Sequence, residues 1–262
     1  MQGHEVCFVT MTGATTGRTI TKPLMHVPHD DGVLLVDKPA GPTSHDIVGR
    51  IRRELPFLSF APILAVSAKT GQRVAYHDLG SLFAGGHFAN DLALDAQGNV
   101  YVTDSFSPVI YRVDTAGKAT VFAQSELFTG ENFNLNGIVV HPDGYLLVNK
   151  HNSGELFRVS LKDPARIARV QLPEALRGAD GMVLRTPGRL TLVQNSGADR
   201  TLDLVSTDGW KTATITRTQK SLQTFPTTAA KVGKDVYVMN SRLDTLLTPD
   251  APKVSDFILQ KY

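Results

Sequence analysis

The segment Asn90-Asp91-Leu92-Ala93-Leu94-Asp95-Ala96-Gln97-Gly98-Asn99-Val100-Tyr101-Val102 decides the fold, because it recurs. Asn136 is followed eight residues later by Gly144 and then by Leu146-Leu147-Val148. Asp180 is followed at the same distance by Gly188 and then by Leu190-Thr191-Leu192-Val193. The three starts lie 46 and 44 residues apart. A period in the forties with several short strands per unit predicts a β-propeller. The residue that returns in frame carries a side-chain oxygen. Blade-entry positions of a propeller converge on its axis, where a metal or ligand would sit.

Each unit reads as four short strands separated by turn residues. After Val100–Val102 the first unit breaks at Ser107-Pro108, continues through Val109–Val113, turns at Gly117 and ends near Phe122. The second and third units repeat this rhythm to about residue 216. A fourth starts at Thr227-Thr228, with strands expected at Val236–Met239, Leu243–Leu247 and Phe257–Leu259. Residues 22–79 repeat it imperfectly: Leu24 stands eight residues before Gly32, and Val33–Val36 and Ile63–Val66 are apolar runs. Between them Ile47, Ile51 and Leu55 form an i, i+4, i+8 stripe that Pro56 stops, so a helix is expected over about 43–55. The expected architecture is mainly β: a propeller with four clear blades (residues 80–262) and one degenerate N-terminal blade (residues 1–79) carrying a helix insert. Without residues 22–79 the ring would leave strand edges exposed.

The chain has 262 residues and a net charge of +2, with +1 on residues 1–79 and +1 on residues 80–262. No basic domain exists, so bulk electrostatics gives nucleic-acid binding no support. No apolar run is long enough to span a bilayer, and the N-terminus lacks the pattern of a signal peptide, so the expected location is cytoplasmic. Cys7 is the single cysteine, which excludes an internal disulfide. The oligomeric state is left open.

Residues 75–262 resemble the senescence-marker protein/gluconolactonase family of lactonase-like six-bladed propellers. The resemblance is carried by Phe88-Ala89-Asn90-Asp91, Gly98-Asn99-Val100-Tyr101-Val102-Thr103-Asp104-Ser105, Leu135-Asn136-Gly137-Ile138, Ala179-Asp180-Gly181-Met182 and Phe225-Pro226-Thr227-Thr228. It implies a divalent metal on the axis, often calcium, and hydrolysis of a small-molecule lactone or ester. Asn136 and Asp180 match two of the family's metal ligands. Asn90 matches a polar residue facing the substrate. The family's first-blade carboxylate has no counterpart in the sequence, and the plausible replacements from residues 1–80 are Asp30, Asp31 and Asp78.

The first 75 residues carry other resemblances. Val9–Arg18 looks like the opening of deazaflavin-dependent nitroreductases. Gly32–Asp46 looks like the N-terminus of a bacterial tRNA pseudouridine synthase. Ser67-Ala68-Lys69-Thr70-Gly71 looks like the guanine-contacting loop of a tandem-domain GTPase. Each lacks a part its chemistry needs, so all three activities are expected to be absent and the segment reads as a composite.

Asn-Gly and Asp-Gly are also plain turn formers, which is the competing reading of Asn136 and Asp180. Calcium takes six to eight oxygens, so one Asp and two amides make a weak site unless waters or Asn195, Glu131 or Asp104 help. With a metal in place, Asp180 is the candidate general base. The eight histidines show no metal-ligand spacing. The rival function from another class is a non-catalytic propeller that serves as a binding scaffold.

Overall fold

Turn chemistry sets the strand boundaries. In the first repeat the Asp95 carboxylate accepts from the backbone N–H of Gln97 and Asn99, and Gly98 takes φ +88°. Only a residue without Cβ adopts that conformation freely, which is why a glycine marks this position. The chain then returns as an antiparallel strand.

The structure is a computed structural model that describes residues 6–12, 19–25, 28–29, 32–36, 59–60, 62–66, 73–247, 250–252, 254 and 257–262. Its strands fall into sheets that follow the sequence. A hairpin joins β1 (Val6–Thr12) to β2 (Thr19–Met25). The next sheet has the order β3 (Pro28–His29), β4 (Gly32–Val36), β6 (Pro62–Val66), β7 (Arg73–Asp78). Between them β5 (Ser59–Phe60) leaves this sheet and pairs in parallel with the start of the following one. That following blade is β8 (His87–Leu94), β9 (Val100–Asp104), β10 (Val109–Val113) and β11 (Ala119–Gln124).

Two more four-stranded meanders follow. One is β12 (Leu135–His141), β13 (Tyr145–Lys150), β14 (Glu155–Ser160) and β15 (Ile167–Arg169). The other is β16 (Ala179–Thr186), β17 (Arg189–Gln194), β18 (Arg200–Val205) and β19 (Thr214–Lys220). The last sheet is β20 (Pro226–Val232), β21 (Asp235–Asn240) and β22 (Ile258–Lys261). The first strands of successive blades are neighbours: β8 beside β12, β12 beside β16, β16 beside β20. β1 stands beside β20 in turn. This is the arrangement of a β-propeller, with the first strand of each blade innermost.

The core lies between blades rather than within one. Ile138, Leu146, Val148 and Phe157 of the β12–β15 blade pack with Tyr101 and Ile110 of the preceding one. Leu190, Leu192, Leu202 and Leu204 pack back onto Leu147 and Leu156. Trp210, 1% exposed, belongs to that second cluster and donates from Nε1 to Pro187 O at 2.7 Å. Each fully buried aliphatic side chain of this kind contributes about 1.5–3 kcal/mol. Ile63 and Leu79 join the cluster of Val100, Val102 and Tyr111, so the N-terminal sheet packs as a blade against β8–β11.

The pairing expected between Val33–Val36 and Ile63–Val66 is present, with Val33 opposite Val66 and Val36 opposite Ile63. The helix expected over 43–55 lies outside the described residues. Two expectations need correction. Leu24 belongs to β2 and pairs with Cys7, not to the degenerate blade. Leu243–Leu247 is not a strand: after Arg242, at φ +50°, the chain turns into a short helix α1 (Asp244–Leu247). The Thr245 hydroxyl donates back to Arg242 O at 2.8 Å and closes that turn.

Adjacent blades approach so closely at their inner ends that a Cβ on Gly137 would lie 2.2 Å from Asp180 O, and one on Gly181 2.7 Å from the Thr228 Cα. Gly137→Ala should therefore destabilise the fold by about 1–3 kcal/mol, because the atom it meets is backbone and cannot swing away. Urea denaturation checks this, with an unchanged midpoint as the contrary result.

Candidate functional site

The strand pairing has the same irregularity in four consecutive blades. Ala89 pairs Asp104 and Leu92 pairs Val102, so three steps on β8 match two on β9. The same count separates Leu135 from Ile138, Ala179 from Met182, and Pro226 from Ala229. Each is a β-bulge, a device that inserts one residue and re-aims side chains. The in-frame residues Asn90, Asn136 and Asp180, and Thr227 after them, are the first of the two bulged residues. The second residues are Asp91, Gly137, Gly181 and Thr228.

A bulge takes backbone groups out of the ladder, and buried ones must find other partners. Here the neighbouring blade supplies them. The Thr103 hydroxyl donates to Asn136 O at 2.7 Å, and Asn149 Nδ2 donates to Asp180 O at 2.6 Å. Ile138 N donates across the boundary to Asp91 Oδ2 at 3.2 Å, while Gly137 N is answered within its own blade by Asn149 Oδ1 at 3.2 Å. A run of backbone bonds continues the link along the rim: Ser105 N to Phe88 O, Asn134 N to Ser105 O, His151 N to Asn134 O, Gly178 N to His151 O, Asn195 N to Gly178 O.

Asn136 and Asp180 come together: the Asn136 amide stands close enough to the Asp180 carboxyl to favour its ionised form. Asn195 Nδ2 donates to Asp180 Oδ2 at 2.7 Å. Asn136 is 5% exposed, and its Oδ1 has no hydrogen-bond partner among the described residues. Asn90 stands in the adjacent blade, with Nδ2 donating to Ser105 Oγ at 2.8 Å.

Asp91 is the residue that sequence reasoning missed. It is half-buried, accepts from Leu92 N at 2.8 Å and Ile138 N at 3.2 Å, and lies close enough to Asp180 to repel it. Burial pushes its carboxyl up to about 6, against those two backbone donors. Asp180 is held well above the ordinary carboxylate value by burial first and by Asp91 second, while Asn136 and Asn195 act in the opposite direction. Two carboxylates in one desolvated site resist ionising together.

The proposed helpers fare differently. Asn195 does touch Asp180, whereas Glu131 is exposed on a loop. Asp104 is bonded elsewhere. Its Oδ1 accepts from the backbone N–H of Phe88, Phe106 and Ser107, and its Oδ2 lies 2.9 Å from His87 Nδ1. His87 Nε2 meets Phe83 O at 2.9 Å, so both ring nitrogens are engaged. Ser107 Oγ lies 3.3 Å from His87 Nδ1 but donates to Gly86 O, and the group is sealed from solvent. This Ser–His–Asp set anchors the rim; it is not a nucleophilic triad. Asp78, offered for the lost first-blade carboxylate, is exposed and caps Gly80 N at 3.0 Å. Asp30 and Asp31 lie outside the described residues.

No family model matches the sequence, and no curated protein matches it. Solved structures do. The major Malassezia sympodialis allergen Mala s 1 superposes with a TM-score of 0.60 at 20% identity, over 76% of this chain and 66% of the allergen. A calcium-binding protein, regucalcin, from Agrobacterium tumefaciens strain C58 gives 0.59 at 16% identity, over 90% and 75%. The gluconolactonase XC5397 from Xanthomonas campestris gives 0.51 at 16% identity, over 68% and 62%. The chain thus spans just under two thirds of the allergen and of the gluconolactonase. The likeness to all three establishes the propeller fold. Among the described residues, no helix is long and apolar enough to cross a membrane.

Raised carboxyls give a stability that is full below their ordinary titration range and is lost as pH rises through about 6 for Asp91, and further for Asp180. His151, whose imidazole burial holds below its ordinary value, acts in the opposite sense over the same range. With divalent metal chelated, Asp180→Asn should therefore gain melting temperature over the native chain as pH rises from about 5 to 8. Scanning calorimetry checks it; parallel curves for the two proteins would place the pair outside the pH response.

Proposed function

We propose that the axial cluster holds a divalent cation, best calcium, and that the protein hydrolyses a lactone or related ester there. The observation that carries this reading is the buried, unpartnered Asn136 Oδ1 beside two carboxylates whose ionised forms are disfavoured. An orphaned buried acceptor costs about 1–3 kcal/mol. A cation would satisfy the acceptor and offset the mutual repulsion of the carboxylates. The donor set fits a hard cation, since all of its atoms are oxygens. Two of the fold neighbours, a calcium-binding protein and a gluconolactonase, run the same way.

Asn136 Oδ1 and the Asp180 carboxylate would hold the ion, with water in the remaining positions. Bound there, such an ion polarises an ester carbonyl or lowers the pKa of a bound water. Asp180 is the candidate general base, kept in place by Asn195. Asp91 supplies negative charge without being free to turn, because both of its oxygens are tied to backbone N–H groups. Asn90 is the candidate substrate contact at the adjacent blade.

One observation favours the rival reading, a propeller that binds a small molecule without turning it over. Among the described residues, no group of three His, Cys, Asp or Glu stands together as a metal site. The two readings part on turnover: both allow binding, but only the first expects hydrolysis of a lactone panel that chelator abolishes.

Calcium at 100 times its dissociation constant should stabilise the native chain by about 2.7 kcal/mol. Asp180→Ala should remove that gain. Thermal melts in calcium and in chelator measure it, and an equal shift in the variant would place the ion elsewhere.

A further inference from the structure

His151 follows the end of β13, as Ser105 follows β9, Asn195 follows β17 and Ser241 follows β21. The four positions are equivalent, because Asp104, Lys150, Gln194 and Asn240 pair the residues just before the four bulges. Of the four, His151 alone has a titratable side chain. It does not touch Asp180. Its Nε2 lies 3.0 Å from Asn195 Oδ1, and Asn195 Nδ2 in turn donates to Asp180 Oδ2 at 2.7 Å. The Ser196 hydroxyl also donates to Asn195 Oδ1, at 2.8 Å. Asn195 is 1% exposed, so its amide cannot turn to water for partners.

A primary amide offers a carbonyl oxygen on one side and an N–H₂ on the other. Which side faces Asp180 decides whether the carboxylate meets a donor or a second lone pair. The ring of His151 sets this choice if its proton sits on Nε2. Asn195 Oδ1 is then held by two donors, and Nδ2 is left to face the carboxylate. The opposite tautomer presents a lone pair to Asn195, favours the flipped amide and turns Oδ1 toward Asp180.

We propose that His151 is a positioning residue for Asp180: its Nε2–H fixes the Asn195 amide so that Nδ2 donates to Asp180 Oδ2. The inference rests on the reading of Asp180 as the cation-holding carboxylate, but the lock itself exists without the ion. It acts through Asn195 alone. His151 and Asn195 should therefore behave as one unit, and any residue able to donate from the Nε2 position should serve.

The test combines a metal-free and a metal-dependent measurement on the whole chain. In chelator, ¹⁵N NMR of the imidazole should show the Nε2–H tautomer of His151; an Nδ1–H tautomer overturns the proposal whatever calcium does. Calcium titration calorimetry then compares His151→Ala, His151→Gln, Asn195→Ala and the double variant. His151→Ala should weaken binding by about tenfold or more, the usual loss when a partner behind a ligand is removed. His151→Gln, which keeps a donor near the Nε2 position, should restore most of it. The double variant should be no weaker than Asn195→Ala. Additive losses, or a Gln variant as weak as the Ala variant, overturn the proposal. If calcium does not bind the native chain at all, the cation reading falls, and the tautomer measurement still decides the lock.

Discussion

Everything at the axis depends on one extra residue per blade. A regular strand would send alternate side chains to the two faces of each blade, into the apolar layers between neighbours. The bulge at residues 90–91, 136–137, 180–181 and 227–228 breaks that alternation at the inner end and turns polar side chains inward. The backbone groups it frees are taken up across the blade boundary, by Thr103 and Asn149 on carbonyls and by Asp91 on an N–H. The irregularity that builds the site thus also ties one blade to the next. This explains why glycine follows Asn136 and Asp180: at these two blades the second bulge residue touches the neighbouring blade's backbone, and no Cβ fits.

The electrostatics follow from that placement. Asp91 and Asp180 are brought together by the geometry of two blades, and burial raises both before either acts on the other. Asn136 and Asn195 partly compensate at Asp180, and backbone N–H groups do so at Asp91. What remains uncompensated is negative charge together with one orphaned amide oxygen. The cation proposed for this site would answer it by sign, by donor chemistry and by the shortage of protein donors around it. The buried His87–Asp104 set has similar residue types but every polar atom is answered from within the rim, which is why it carries no chemistry.

The blades and the in-frame residues were legible in the sequence because both depend on period. The eight-residue step from Asn or Asp to glycine spans one bulged strand and its turn, so its recurrence reports the register of the innermost strands. Asp91 was not legible, since next to Asn90 it reads as part of an ordinary polar strand entry. Its role appears only when Ile138, 47 residues on, is placed over it. Asn195 was within reach as an oxygen donor, but its contact with Asp180 depends on where β17 ends. Asp104 misled because a carboxylate at the end of β9, one strand out from the innermost, looks axial in the sequence. In three dimensions its burial faces the rim loop. Leu243–Leu247 misled because leucines at 243, 246 and 247 suit a strand or a helical turn equally, and the preceding turn at Arg242 decided it.

The most direct measurement of the central claim is the position of a cation in a crystal of this chain grown with calcium. The account predicts one ion on the axis, coordinated by Asn136 Oδ1 and Asp180 at about 2.3–2.6 Å, with water completing the shell. A crystal that shows Asn136 Oδ1 satisfied by a protein donor, with calcium bound away from Asp180, would contradict it.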